Sequence, residues 1–214
     1  MATYIFTVEG NIGAGKTTFL ERLRREWPEA TIVLEPVGTW MTMKEKDGTS
    51  LLDHFYADKK RWSYTFQTAA FLTRLMDTER VLEEAVAATP AKTGKPLIVL
   101  TERSVLTDRY VFAAMLHASG DMSDLEYDLY LRWYDRFASH VPIKGILHLT
   151  TDPTTSLERI GVRGREAEAG IQKGYLEALE VQHRKWLSET TLPVMSITSD
   201  GSLDLLKAWI LSRC

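Results

Sequence analysis

The chain alternates short apolar runs with longer amphipathic stretches. Tyr4-Ile5-Phe6-Thr7-Val8 is β-branched and aromatic and is closed by a glycine-rich turn, which predicts a buried first strand. Residues 16–26 read as a helix stopped before Pro28, and residues 31–34 as a short second strand that ends at Glu35-Pro36-Val37-Gly38. The polar, glycine-containing stretch 43–50 predicts a loop. From about residue 60 to 88 there is neither Gly nor Pro, which predicts one long helix. Trp62, Phe66, Ala69, Thr73 and Met76 form one stripe on it, with Phe71 and Leu75 opposite, the pattern of a central helix. Residues 89–96 read as a loop. Leu97-Ile98-Val99-Leu100-Thr101 is a continuous apolar run, expected of a parallel strand covered on both faces.

Helices are predicted next over 105–117 and 123–138, then a fourth strand over 145–150. Asp152-Pro153 opens another helix with Pro at its first position. A mixed-charge segment, 159–170, interrupts before a helix over 172–188, a fifth strand over 194–197 and a closing helix over 202–211. Strands alternating with helices imply an α/β fold: a five-stranded parallel sheet flanked by helices, in one domain spanning 1–214. Ligands bind such sheets at the carboxyl ends of the strands. Residues 10–17, Glu35 and Glu102-Arg103 follow the first three strands, so one site is expected there.

Lys and Arg total 26 against 29 Asp and Glu, a net charge of −3, so no broad electrostatic footprint for a nucleic-acid polymer or an acidic membrane is expected. A chain 44% hydrophobic and 26% charged is neither disordered nor fibrous. Cys214 is the single cysteine, which excludes an intrachain disulfide and any Cys-based metal site and suits a reducing, cytoplasmic setting. No apolar run reaches the ~18 residues of a membrane span. With a strand predicted so near the first residue, no targeting segment is expected ahead of it.

Gly10-Asn11-Ile12-Gly13-Ala14-Gly15-Lys16-Thr17 fits G-x-x-x-x-G-K-[ST] between a strand and a helix. Its successive N–H groups, continued by Thr18, suit the phosphates of a nucleoside triphosphate such as ATP. Lys16 would sit on the β/γ-phosphates and the Thr17 hydroxyl on Mg²⁺, with Glu102 where a Walker-B carboxylate is expected. Such a loop does not choose among GTPase, ATPase, sulfotransferase and small-molecule kinase. The lack of an N-K-x-D motif weighs against the GTPase.

Glu35 precedes Pro36, so its backbone is extended, and its carboxylate is placed to take a proton from a hydroxyl attacking the γ-phosphate. A surface Glu at a strand end is the plain alternative. Gln67, Ala70 and Arg74 lie at i, i+3 and i+7 on one helical face. Gln offers a donor and an acceptor to a nucleobase edge. Arg74 in an apolar helix needs a carboxylate, for which Asp108 is a candidate. Both side chains equally fit purely structural roles.

The runs at 10–17, 35–37, 61–68 (Arg-Trp-Ser-Tyr-Thr-Phe-Gln-Thr) and 102–110 (Glu-Arg-Ser-Val-Leu-Thr-Asp-Arg-Tyr) resemble, in order, the deoxyribonucleoside kinases, and within them the deoxycytidine/deoxyguanosine kinase branch. Residues 159–165 resemble that family's arginine-rich lid. The resemblance implies a P-loop kinase fold with a lid at about 159–170. It implies Glu35 on the substrate 5′-hydroxyl as general base and Glu102 on Mg²⁺, Glu102 being the other candidate base. Arg103 would steady the transferring phosphoryl group, and Arg159, Arg163 and Arg165 would neutralise the donor. Tyr56 and Glu168 would hold the 3′-hydroxyl, Glu168 being preferred to Glu166 by its spacing to Tyr175. Gln67 would take the base edge, Phe66 and Phe112 would sandwich the base, and Arg74 with Asp108 would close the far end. Val37, Leu52 and Ala70 would line the pocket, with His54 and Phe55 reshaping its sugar side.

The implied activity is transfer of the γ-phosphoryl of ATP, or another triphosphate, to the 5′-hydroxyl of deoxycytidine or a purine deoxynucleoside, in a homodimer joined through 105–138. Two alternatives stay open. One is a thymidylate or other nucleoside-monophosphate kinase, whose acceptor phosphate Glu35 would repel. The other is a P-loop NTPase switch.

Overall fold

Five strands form one parallel sheet in the order β2-β3-β1-β4-β5. They are β1 (Thr3–Glu9), β2 (Thr31–Val33), β3 (Leu97–Glu102), β4 (Ile143–Leu149) and β5 (Val194–Ile197). The computed structural model describes residues 2–88, 96–139 and 141–214. The expected loop at 89–96 therefore lies outside the described residues except for Pro96. Every residue of β3 is buried, as its unbroken apolar run requires of a strand covered on both faces.

The helices pack on the two faces. α1 (Lys16–Glu26) sends Phe19, Leu20 and Leu23 against Phe6 and Val8 of β1, together with α10 (Leu203–Leu211). The other side carries α4 (Lys59–Ala88), α7 (Asp124–Phe137) and α9 (Lys173–Glu189), whose apolar residues form the larger core cluster. Between β4 and α9 runs α8 (Pro153–Arg163), started by Asp152, whose carboxylate accepts from the Thr154 N–H at 2.8 Å.

Two helices were not expected. α3 (Leu51–Ala57) has a readable signal: Ser50 and Asp53 form a capping box, Ser50 Oγ accepting the Asp53 N–H at 3.1 Å and Asp53 Oδ2 accepting the Ser50 N–H at 3.0 Å. α2 (Val37–Thr42) has no side-chain cap. It is held by Trp40, which is buried and donates to Thr73 Oγ1 on α4 at 2.9 Å. That support is tertiary, so local sequence does not reveal it. Between these helices residues 43–50 form the expected loop, bridged at Lys44 and Ser50.

The buried face of α4 is rotated from the expected stripe. Phe66, Gln67, Ala70, Phe71, Arg74 and Leu75 are buried, whereas Met76 is 65% exposed. Gln67, Ala70 and Arg74, read together as one face at i, i+3 and i+7, all lie on the buried side, which the apolar stripe alone does not mark. The helix expected over 105–117 is also not regular. It runs as α5 (Val105–Thr107), a π-helical stretch Asp108–Ala113 and α6 (Ala114–Ala118). Such wide turns recur at functional sites, and here it brings both Asp108 and Phe112 to the central cavity.

Candidate active site

The loop between β1 and α1 is built by glycines that nothing larger replaces. Gly10, Gly13 and Gly15 have φ of 147°, 75° and 96°. A Cβ at Gly10 would lie 2.5 Å from the Leu149 carbonyl oxygen, and one at Gly13 would lie 2.4 Å from that of Ser156. The loop is thus clamped between the end of β4 and the start of α8. Asn11 fixes it from the other side, its Nδ2 donating to the Leu176 carbonyl on α9 at 2.8 Å and its Oδ1 accepting the Ile12 N–H at 2.9 Å. Lys16 is buried and donates from Nζ to the Asn11 carbonyl at 2.7 Å. Burial, aided by the Arg103 charge, pulls its pKa down to about 7 against the pull of Glu102, Glu35 and Glu9. Thr17 donates from Oγ1 to both Glu102 oxygens, at 2.8 and 3.0 Å. Thr18 is exposed on the first turn of α1.

Above this loop a cavity of about 210 Å³ opens at the carboxyl ends of β1, β2 and β3. The acceptor-side residues meet there as one ionic chain. Arg103 Nη1 donates to Glu35 Oε2 at 2.6 Å and Oε1 at 2.8 Å. Arg74 donates from Nη2 to Glu35 Oε1 at 2.9 Å, from Nε to Asp108 Oδ2 at 2.8 Å and from Nη1 to the Glu102 carbonyl at 3.0 Å. The pair expected between Arg74 and Asp108 is present, and it extends to Glu35. Burial pushes the Glu35 carboxyl up, but Arg103, Arg74 and Lys16 outweigh it and hold Glu35 well below the usual carboxylate range. Asp108 is raised by burial, with Arg74 opposing.

The cavity walls are aromatic and apolar. Phe66 stacks one face on Phe55 at 4.4 Å between centroids and meets the edge of Trp40 at 5.3 Å. Phe112 lies under the Arg103 guanidinium, 5.1 Å from its centroid. Val37, Leu52, Tyr56, Ala70 and Gln67 complete the lining, and the Gln67 side-chain oxygen is buried without a hydrogen-bond partner. A buried amide oxygen with no donor is ready to accept one from a ligand. Leu34, Gly38 and Trp40 also line the cavity and were not singled out from sequence. Trp40 carried a signal, a large aromatic three residues past Val37, but its inward direction depends on the bond to Thr73.

The arginines of 159–165 do not meet at one point. Arg159 donates from Nη1 to the Ala14 carbonyl at 3.1 Å. Arg163 and Arg165 both pair with buried Glu168, the latter at 3.0 Å, and all three line the cavity rim. Gly164, with φ of 64°, ends α8 between them.

Known proteins are similar to this sequence over most of its length. A family model described as deoxynucleoside kinase matches residues 6–208. Human deoxycytidine kinase is 36% identical over 202 residues, which cover 87% of this chain and 76% of that protein. Deoxycytidine kinase 2 of Gallus gallus is 35% identical, covering 88% of this chain and 75% of its own. The mitochondrial deoxyguanosine kinase of Xenopus laevis is 34% identical, covering 88% and 74%. The matched span takes in every residue that lines the cavity, and the chain therefore belongs to the deoxynucleoside kinase family, salvage enzymes for which ATP is the general phosphoryl donor.

Proposed function

We propose that this deoxynucleoside kinase phosphorylates the 5′-hydroxyl of deoxycytidine and of purine deoxynucleosides, with Glu35 as the proton acceptor. The observation that carries this reading is the Glu35 carboxylate, held ionised by two arginines at the wall of a nucleoside-sized aromatic cavity beside the phosphate loop. In the transfer, a bond forms from the substrate 5′-oxygen to Pγ, the bond from Pγ to the bridging oxygen of ADP breaks, and the hydroxyl proton passes to Glu35. A carboxylate this weakly basic serves because the transition state is loose and the proton leaves late, so orientation counts for more than base strength. Arg103 spans Glu35 and the Gly10 carbonyl, and there its charge faces the equatorial oxygens of the transferring group. Glu102, turned to Thr17, is better placed for the donor than for the acceptor.

Thr17 and Glu102 supply hard oxygen donors side by side, which suits Mg²⁺. Among the described residues no group of three His, Cys, Asp or Glu side chains forms a cage for an ion, which favours an ion shared with phosphate oxygens. When bound, Mg²⁺ would offset the charge on the β- and γ-phosphates. The segment 159–170 is read as the lid. Arg163 and Arg165, now neutralised by Glu168, would turn to the donor, and Glu168 with Tyr56 would take the 3′-hydroxyl. The base would lie between Phe66 and Phe112, its edge on Gln67. The names of the human and Xenopus relatives support deoxycytidine and deoxyguanosine as acceptors. Arg74 and Asp108, charged and bulky at the far end, disfavour a thymine methyl. Residues 1–214 are read as one domain. A homodimer joined through 105–138 and a cytoplasmic setting complete the proposal; among the described residues no helix is long and apolar enough to cross a membrane.

A screen of phosphoryl transfer from ATP to the natural deoxynucleosides and ribonucleosides tests it. ADP release that depends on deoxycytidine or a purine deoxynucleoside is the expected result. Acceptor-independent hydrolysis, or preference for a nucleoside monophosphate, overturns it.

A further inference from the structure

Glu9 ends β1, directly before Gly10 of the phosphate loop. Its carboxylate is fully buried, a costly placement unless its oxygens are satisfied. Three hydroxyls donate to it: Thr7 to Oε1 at 2.6 Å, Ser104 to Oε1 at 2.8 Å and Thr107 to Oε2. Burial pushes the carboxyl up, while Thr107, Thr7, Ser104 and the Arg103 charge oppose it. Thr7 is on the same strand, but Ser104 precedes α5 and Thr107 ends it. Ser104 adjoins Arg103 and Thr107 adjoins Asp108. One carboxylate therefore ties the end of β1 to both flanks of the segment that grips Glu35, directly through Arg103 and indirectly through Asp108 and Arg74.

Arg103 needs such a tie. Among the described residues it is the one non-glycine with positive φ, at 58°. A left-handed backbone at a residue with a Cβ persists only when its surroundings over-determine it. The surroundings are three successive residues of the β1 end. The Arg103 N–H donates to the Val8 carbonyl at 3.0 Å, its neighbour Ser104 is bound to Glu9, and its Nη2 donates to the Gly10 carbonyl at 3.4 Å.

We infer that Glu9 is a positioning residue for phosphoryl transfer: by binding Ser104 and Thr107 it holds Arg103 in the left-handed turn from which the guanidinium reaches Glu35. Glu9 lines no part of the cavity. The inference rests on the reading of Arg103 as a group that acts in the transfer.

A double-mutant cycle tests it, with Glu9→Gln and Arg103→Lys made singly and together. Glutamine keeps the shape but replaces one acceptor oxygen with a donor, so one hydroxyl loses its partner. Glu9→Gln is expected to lower kcat by ~10- to 100-fold, because small misplacements of a transition-state contact carry such factors. KM for deoxycytidine and for ATP should move by less than about threefold. In the Arg103→Lys background the further loss should be under about threefold, since the residue through which Glu9 acts is already altered. Should Glu9→Gln fail to fold by thermal melting, Thr107→Val, which keeps the side-chain shape and removes one donor, carries the same cycle with a smaller factor. A folded Glu9→Gln with full kcat, or an equal loss in both backgrounds while Arg103→Lys alone is impaired, overturns the role of Glu9 and leaves that of Arg103 standing. A fully active Arg103→Lys overturns both.

Discussion

Lys16 and Glu35 face one cavity, and both pKa values are depressed, which disfavours the charged lysine but favours the charged carboxylate, each with a consequence that can be measured. The Lys16 ammonium is buried against the Asn11 carbonyl oxygen, and that burial, with the Arg103 charge, is why its pKa falls to about 7. Bound phosphates restore the charged form, so ATP binding at pH 8 should take up a proton. Calorimetry in buffers of different ionisation enthalpy should show this uptake in the wild type and lose it in Lys16→Met. The same variant should lose turnover, because a point charge on the β/γ-oxygens is gone. Glu35→Gln keeps shape and hydrogen bonding but takes no proton, so kcat should fall ~10²–10⁴-fold with deoxynucleoside binding largely retained. If Glu102→Gln is the severe variant and Glu35→Gln is nearly silent, the two roles are reversed. The depressed Glu35 also contributes stability above its ordinary value of 4.5, and this contribution is lost as pH falls through the lower native value. Acid unfolding followed below pH 4.5 should therefore be shallower in Glu35→Gln.

At the scale of elements, α4 and the π-helical stretch meet through one ionic contact. Arg74 joins Asp108 to Glu35, so the pair that closes the far end of the cavity also supports the proton acceptor. Asp108→Ala leaves a buried arginine short of a partner and should cost ~3–5 kcal/mol in chemical denaturation, nearer the lower figure because Glu35 and the Glu102 carbonyl remain. Arg74→Met combined with Asp108→Ala removes charge and bulk together. The ratio of kcat/KM for thymidine over deoxycytidine should rise in the double variant, while kcat for both falls because Glu35 loses one of its two arginines. A wild type that already favours thymidine, or a ratio that does not move, means the pair does not read the base. The buried face of α4 is rotated from its apolar stripe because Gln67 lines the cavity and Arg74 is bonded to Asp108, and polar residues do not register in an apolar pattern.

At the scale of the whole molecule, α7 presents Leu125, Leu129, Trp133 and Phe137 at successive helical turns, all at least 38% exposed. An apolar stripe of that length suits a second copy of the chain, in keeping with the proposed dimer through 105–138. Trp133→Glu should shift the sedimentation coefficient toward that of a monomer while leaving the thermal unfolding of the isolated chain little changed. A wild type that sediments as a monomer removes the dimer from the proposal.

The sequence by itself determined the five strands, the parallel α/β class and the phosphate loop, because each rests on local physics: period-two or continuous apolar runs, and glycines before a helix. It also brought Glu35, Lys16, Glu102 and Arg103 to one sheet edge, since each follows a strand of a parallel sheet and such strands all end on the same side. Only the tertiary structure decided how those charges are shared. Arg74 reaches Glu35 across 39 positions and Arg103 across 68, and no spacing rule encodes which carboxylate a long side chain will find. Helix α2, the turn of Trp40 into the cavity, the left-handed Arg103 and the burial of Glu9 were likewise set by contacts between distant segments. Local propensity holds information about neighbours within a few residues; partners a strand or a helix away enter only when the chain has closed on itself.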